Sequence, residues 1–115
     1  MHLPSEIVIF GRAYDLRDLD QVHRSEGILG LAAFRDAAIY LDDGMDPHLS
    51  LSTLWHEAVH IAQQELLGAP DEEQARWISL FVHNFLMQNP AIVECYLDWL
   101  DLFSLDEEEY GERPD

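Results

Sequence analysis

The chain has 115 residues, 48% of them hydrophobic and 25% charged, the balance of one soluble globular domain with a single core. Its 23 acidic residues face six arginines and no lysine. The resulting formal charge of −17 repels phosphate backbones and anionic lipid, so neither nucleic acid nor a membrane surface is an expected partner. A single cysteine, Cys95, cannot close an intramolecular disulfide, and without C-x-x-C pairs any metal must be held by histidines and carboxylates. The N-terminal segment lacks the pattern of a signal peptide and no apolar run approaches the ~18 residues needed to span a bilayer, so a cytoplasmic location is expected.

In chain order, Glu6 to Phe10 is β-branched and aromatic and is followed by Gly11, which predicts a first strand. The segment from Tyr14 to Glu26 carries four acids and two arginines without clear periodicity and reads as a loop or short helix. Ile28–Phe34 and Ala37–Leu41 flank Arg35-Asp36, a hairpin tip, and Asp42-Asp43-Gly44 ends the third strand. The apolar period then changes from two to 3.6. A first helix is expected from Pro47 or Ser50 to Leu67, closed by Gly68. A second starts at Pro70-Asp71, where Asp71 and Gln74 resemble a capping box, and continues to Gln88. A third starts at Asn89-Pro90 and runs to Phe103, with Val93, Tyr96, Leu97, Leu100 and Phe103 as its core face. The expected fold class is therefore α+β, a small three-stranded, largely antiparallel sheet with three helices, in one domain over residues 1–105. Acidic Asp106–Asp115 reads as a solvated or disordered tail.

The first long helix contains His56-Glu57-Ala58-Val59-His60, the pattern H-E-x-x-H. Residues four apart on a helix differ by about 40° and 6 Å, so both imidazoles leave one face and can converge on one ion. Glu57 lies about 100° from His56, beside the position of a metal-bound water, where a general base is needed. Apolar stripes through Trp55, Val59, Ala62 and Leu66 and through Leu54, Ala58 and Ile61 would cover the helix on two sides of this face.

An open zinc site needs a third protein ligand. Glu72 and Glu73 follow the turn Gly68-Ala69-Pro70, and His83 is the next histidine. With Ala75, Ile78, Val82, Phe85 and Leu86 as the buried stripe of the second helix, Glu72 falls at its margin and Glu73 faces water, so Glu72 is the expected ligand. His83 lies about 16 Å further along the axis and cannot share one metal with Glu72. It remains an alternative ligand or, as the preferred reading, a histidine packed at a helix interface. His48, Tyr40 and Tyr96 are weaker candidates for stabilising an oxyanion.

With Thr53 three residues before His56, and Ile61-Ala62 after His60, this region resembles the zincin metallopeptidases, and among them the small ImmA/IrrE-like and phage-encoded enzymes. The resemblance covers roughly residues 37–90 and includes Glu72 and Ala75, which match an E-x-x-A stretch carrying a zinc-binding Glu on the following helix. Other branches fit less well. The metzincin extension needs Gly and His where this chain has Gln63 and Leu66, a thermolysin-like motif needs Asp where Arg76 stands, and SprT-like proteases use a third His absent here. The resemblance implies a minimal zincin fold, with the sheet packed on the H-E-x-x-H helix and a substrate strand along the sheet edge. It implies a Zn2+-dependent peptidase acting on a peptide or protein, with His56, His60 and Glu72 as ligands and Glu57 as base. The alternative is a zinc-containing regulatory or protein-binding module without turnover. With Asp42, Asp43 and Asp46 expected at the end of the edge strand, the cleft should favour neutral or basic peptides.

Overall fold

Strand β1 (Glu6–Ile9) turns back through Phe10-Gly11 into β2 (Arg12–Asp18), with Ile9 opposite Arg12. Both turn residues have positive φ, 50° and 82°, the combination that gives a two-residue hairpin loop a twist matching its strands. This computed structural model describes residues 2–110, and the side chains of residues 2–102. After β2 come α1 (Gln21–Ser25), β3 (Gly30–Ala33), β4 (Ala38–Leu41), α2 (Pro47–Leu67), α3 (Glu72–Gln88) and α4 (Pro90–Tyr110). The class is α+β as expected, but the sheet has four strands in the order β1-β2-β4-β3, and β2 pairs with β4 in parallel.

The strand missed by the sequence reading is β2, which occupies most of the stretch read as a loop or short helix. It alternates as a half-buried strand must: Tyr14 is buried and Leu16 half-buried on one face, while Ala13, Asp15 and Arg17 face water. Its charges lie on the solvated face and on the strand end, where they mask the apolar alternation. The same insertion changes the topology. Because β2 lies between β1 and β4, the edge beside the helices is β3, and β4 is interior.

Pro47 occupies the first helical turn of α2, Asp46 caps it by accepting from Leu49 N–H at 2.8 Å, and left-handed Gly68 ends it. Asp71 caps α3 by accepting from Gln74 N–H at 3.0 Å. Tyr14, Ile39, Leu41 and Ile61 form the core, with Leu54, Phe34 and Met45 packed on it, so α2 lies on the inner sheet face. The buried line of α3 is Ala75, Ser79 and His83, rotated from the expected stripe, and Phe85 is exposed.

The described chain divides into two compact units after His83. Within the second, Tyr96, Leu97 and Leu100 of α4 are exposed instead of forming the expected core. Among the described residues that unit consists of the end of α3 and α4. Phe103 lies outside the described side chains. Helix α4 takes in residues 106–110, and the remainder of the expected tail lies outside the described residues. No helix among the described residues is long and apolar enough to cross a membrane.

Gly30 lets α2 approach β3. A Cβ there would lie 2.7 Å from the Thr53 methyl, 3.1 Å from Glu57 Cγ and 3.3 Å from Leu41 Cδ2. Gly30→Ala should therefore push α2 off the sheet edge and lower stability by about 1–3 kcal/mol, the range for overpacking a filled site. Urea denaturation checks this, and an unchanged midpoint would show that the helix yields without cost.

Candidate metal centre

His56 and His60 project from one face of α2, with their Nε2 atoms 3.2 Å apart. Glu72, the first residue of α3, meets both: Oε1 is 2.8 Å from His56 Nε2 and Oε2 is 2.9 Å from His60 Nε2. The three residues offer donor atoms within 4.8 Å of one another and form the one such His/Cys/Asp/Glu group among the described residues. Two imidazole nitrogens and a carboxylate oxygen are a donor set that suits a borderline divalent ion. Burial raises the pKa of the Glu72 carboxyl, but the charge of His56 and the His60 hydrogen bond outweigh it and leave it below the ordinary range.

The orientation of His60 follows from Gln63, one of four buried polar or charged side chains among the described residues. Gln63 Nε2 donates to the Asp71 carbonyl at 3.0 Å and to Gln74 Oε1 at 2.9 Å. Its Oε1 accepts from Asp71 N–H at 3.0 Å, which fixes the amide's orientation. That same oxygen lies 3.0 Å from His60 Nδ1, so Nδ1 carries a hydrogen and Nε2 is the ring nitrogen turned toward His56 and Glu72. Gln63 thus orients the His60 ring on α2 and ties down the turn that delivers Glu72. From sequence it is a residue three positions after His60, on the same helix face, and noted only as a departure from the metzincin pattern. Its partners at Asp71 and Gln74 require the folded turn.

Glu57 is 8% exposed and points from α2 toward β3, where a Cβ on Gly30 would lie 3.1 Å from its Cγ and the Ala32 N–H is nearby. Burial pushes its pKa up, an effect the charges of His56 and His60 partly offset. His56 and Glu57 line two adjoining cavities. One, of about 530 Å³, is walled by Ile28, Leu31, Phe34, Ile61 and Pro70. The other, of about 320 Å³, is walled by Gly30, Ser52, Thr53, Arg76 and Ser79.

Other candidates lie elsewhere. Glu73 faces solvent. His83 is 3% exposed, with Nε2 at 3.1 Å from His48 Nδ1 in the first turn of α2; burial, then neighbouring His48, holds its pKa below the ordinary value. Tyr40 is beside Arg17, and Tyr96 belongs to the second unit. The expectation of aspartates around the cleft is overturned because β4 is interior. Asp42 and Asp43 line a separate cavity with Leu3 and Arg17, Asp43 pairs with Arg24 at 3.1 Å, and Asp46 caps α2.

Comparison with known proteins gives no match: no family model fits the chain, and no curated protein or solved structure is similar to it.

Replacing Gln63 by Leu keeps the side chain's bulk but frees the His60 ring and the Asp71 turn. Divalent-metal affinity, read by competition with a chromophoric chelator, should fall about 10–100-fold, the usual cost of removing a hydrogen-bond partner behind a ligand. Affinity equal to that of the unaltered chain would contradict this role.

Proposed function

We propose that this chain is a zinc-dependent peptidase in which His56, His60 and Glu72 hold the metal and Glu57 is the general base. The observation that carries the reading is the meeting of the His56, His60 and Glu72 donor atoms beside a buried Glu57. Zinc bound there would supply a Lewis acid for a scissile carbonyl and lower the pKa of a water toward ~7. Glu57 accepts the proton of the attacking water and returns it to the departing amine. The open edge of β3 takes the substrate as an added strand, whose backbone pairs with the sheet while its side chains enter the two cavities. Burial of Glu57 against the edge strand keeps bulk water from competing for its carboxylate.

The second reading, a zinc-holding protein-binding module without turnover, draws on the exposed apolar side chains of α4, including Ile92, Tyr96 and Trp99. Both readings require the metal, so elemental analysis comes first. One zinc per chain is expected, with most of it lost in Glu72→Ala and retained in Glu73→Ala. Glu57→Gln keeps the shape of the side chain and removes the base. Peptide cleavage should fall at least about 10²-fold with zinc content unchanged, as expected for loss of a positioned general base. Cleavage equal to that of the unaltered chain contradicts the mechanism, and binding of a partner without cleavage, equal in Glu57→Gln, favours the module.

A further inference from the structure

The two cavities beside Glu57 differ in kind. The larger is walled mainly by apolar side chains, whereas the smaller takes in Ser52, Thr53, Ser79 and one cation, Arg76; the Thr53 hydroxyl turns to Met45 Sδ and the Ser79 hydroxyl donates to the Arg76 carbonyl at 3.0 Å. Arg76 follows Glu72 by one turn of α3, so both residues lie on the side of that helix facing His56. Arg17 and Arg24 are held by Asp15 and Asp43, and Arg12 lies over the rings of Tyr14 and Phe34. The Arg76 guanidinium is exposed and makes no ion pair among the described residues. In a chain with 23 acidic residues and six arginines, a guanidinium with no ion-pair partner among the described residues, in a cavity whose other charged lining group is the buried Glu57, has its donors open to a ligand. The neighbouring carboxylate on its helix face, Glu72, is already engaged by both imidazoles.

We propose that the Arg76 cavity is a carboxylate-binding subsite of the cleft. This rests on the peptidase reading for its place in a reaction, but not for its chemistry. A guanidinium offers paired N–H donors that match the two oxygens of a carboxylate, and Ser52 lines the same cavity. Direction follows from the sheet. A peptide pairing antiparallel to β3, the more stable mode, runs its C-terminal half past Gly30, at the start of β3, and into the Arg76 cavity. The carboxylate therefore belongs to the C-terminal side of the reacting bond, as an acidic side chain or as the chain terminus. The other half of the peptide meets Phe34 and Ile61, which favour apolar side chains.

The test uses the full chain stripped of metal with chelator, so that it reads binding alone. Three fluorescent peptides of one sequence are titrated by anisotropy: one with a central Asp and blocked ends, one with Asn in its place and blocked ends, and the Asn peptide with a free C-terminal carboxylate. At least one carboxylate peptide should bind about tenfold tighter than the blocked Asn peptide, as for a charge-assisted pair. Which of the two does so identifies the source of the carboxylate. The preference should vanish in Arg76→Gln, persist in part in Arg76→Lys, and shrink as salt rises. Arg76 is exposed, so these variants disturb no core packing. No preference in the unaltered chain, whether all three peptides bind or none does, overturns the proposal, as does a preference intact in Arg76→Gln. No bond is cut in this assay, so a carboxylate preference that depends on Arg76 would stand even if the Glu57→Gln comparison removed the peptidase reading.

Discussion

Gln63 bonds across the reversal between α2 and α3, reaching Asp71 through both its N–H and its carbonyl while accepting from His60. The convergence at the centre depends on this closure. Two imidazoles one helical turn apart form only half of a metal clamp, and a third donor must come from another element. The path from Leu67 to Glu72 is short: Gly68 takes the left-handed conformation that ends α2, and Asp71 caps α3. Within that span the chain turns, starts a new helix and brings Glu72 back over His56 and His60. A buried amide satisfied at both ends gives the turn one geometry, since any other would leave polar groups of Gln63 unpaired at a cost of about 1–3 kcal/mol each.

The other side of α2 answers to a different constraint. Glu57 is adjacent in sequence to His56, so it leaves the helix on a different face and is carried against the sheet. Burying a carboxylate there is unfavourable unless it is compensated, and the charges of His56 and His60, with a smaller contribution from the nearby Ala32 N–H, offset part of that cost. Gly30, two residues earlier, allows the approach. The same two residues of β3 therefore lie beside the carboxylate and form part of the edge where a peptide could pair. One short strand without an outer neighbour makes the cleft possible in a chain with a small core.

Much of this was legible before the fold was known. The H-E-x-x-H spacing is a helical pattern in itself, and Asp46, Pro47, Gly68 and Asp71 mark helix ends through chemistry local to the chain. Glu72 was distinguishable from Glu73 by helical phase, even though the buried line of α3 proved to run through Ala75, Ser79 and His83. What escaped was non-local. β2 carries its charges on its solvated face, so its alternation shows only once Tyr14 is known to be buried. The identity of the edge strand depends on a parallel pairing of β2 with β4 across residues far apart in the chain, and that pairing moved the aspartates after β4 away from the cleft. Gly30 carried a usable signal, a glycine inside an apolar strand run, which often marks a close approach by another element. Arg76 and Gln63 had only their positions, and their surroundings exist only in the folded chain.

Which side chains hold a metal decides the chemistry of the cleft. X-ray absorption spectroscopy of the zinc-loaded full chain reads this directly. Two imidazole nitrogens and oxygen ligands at about 2.0–2.2 Å are expected, the oxygens including a carboxylate, with no sulfur in the shell. Sulfur scattering from Cys95, or a third imidazole from any of the other four histidines, would contradict the assignment of His56, His60 and Glu72.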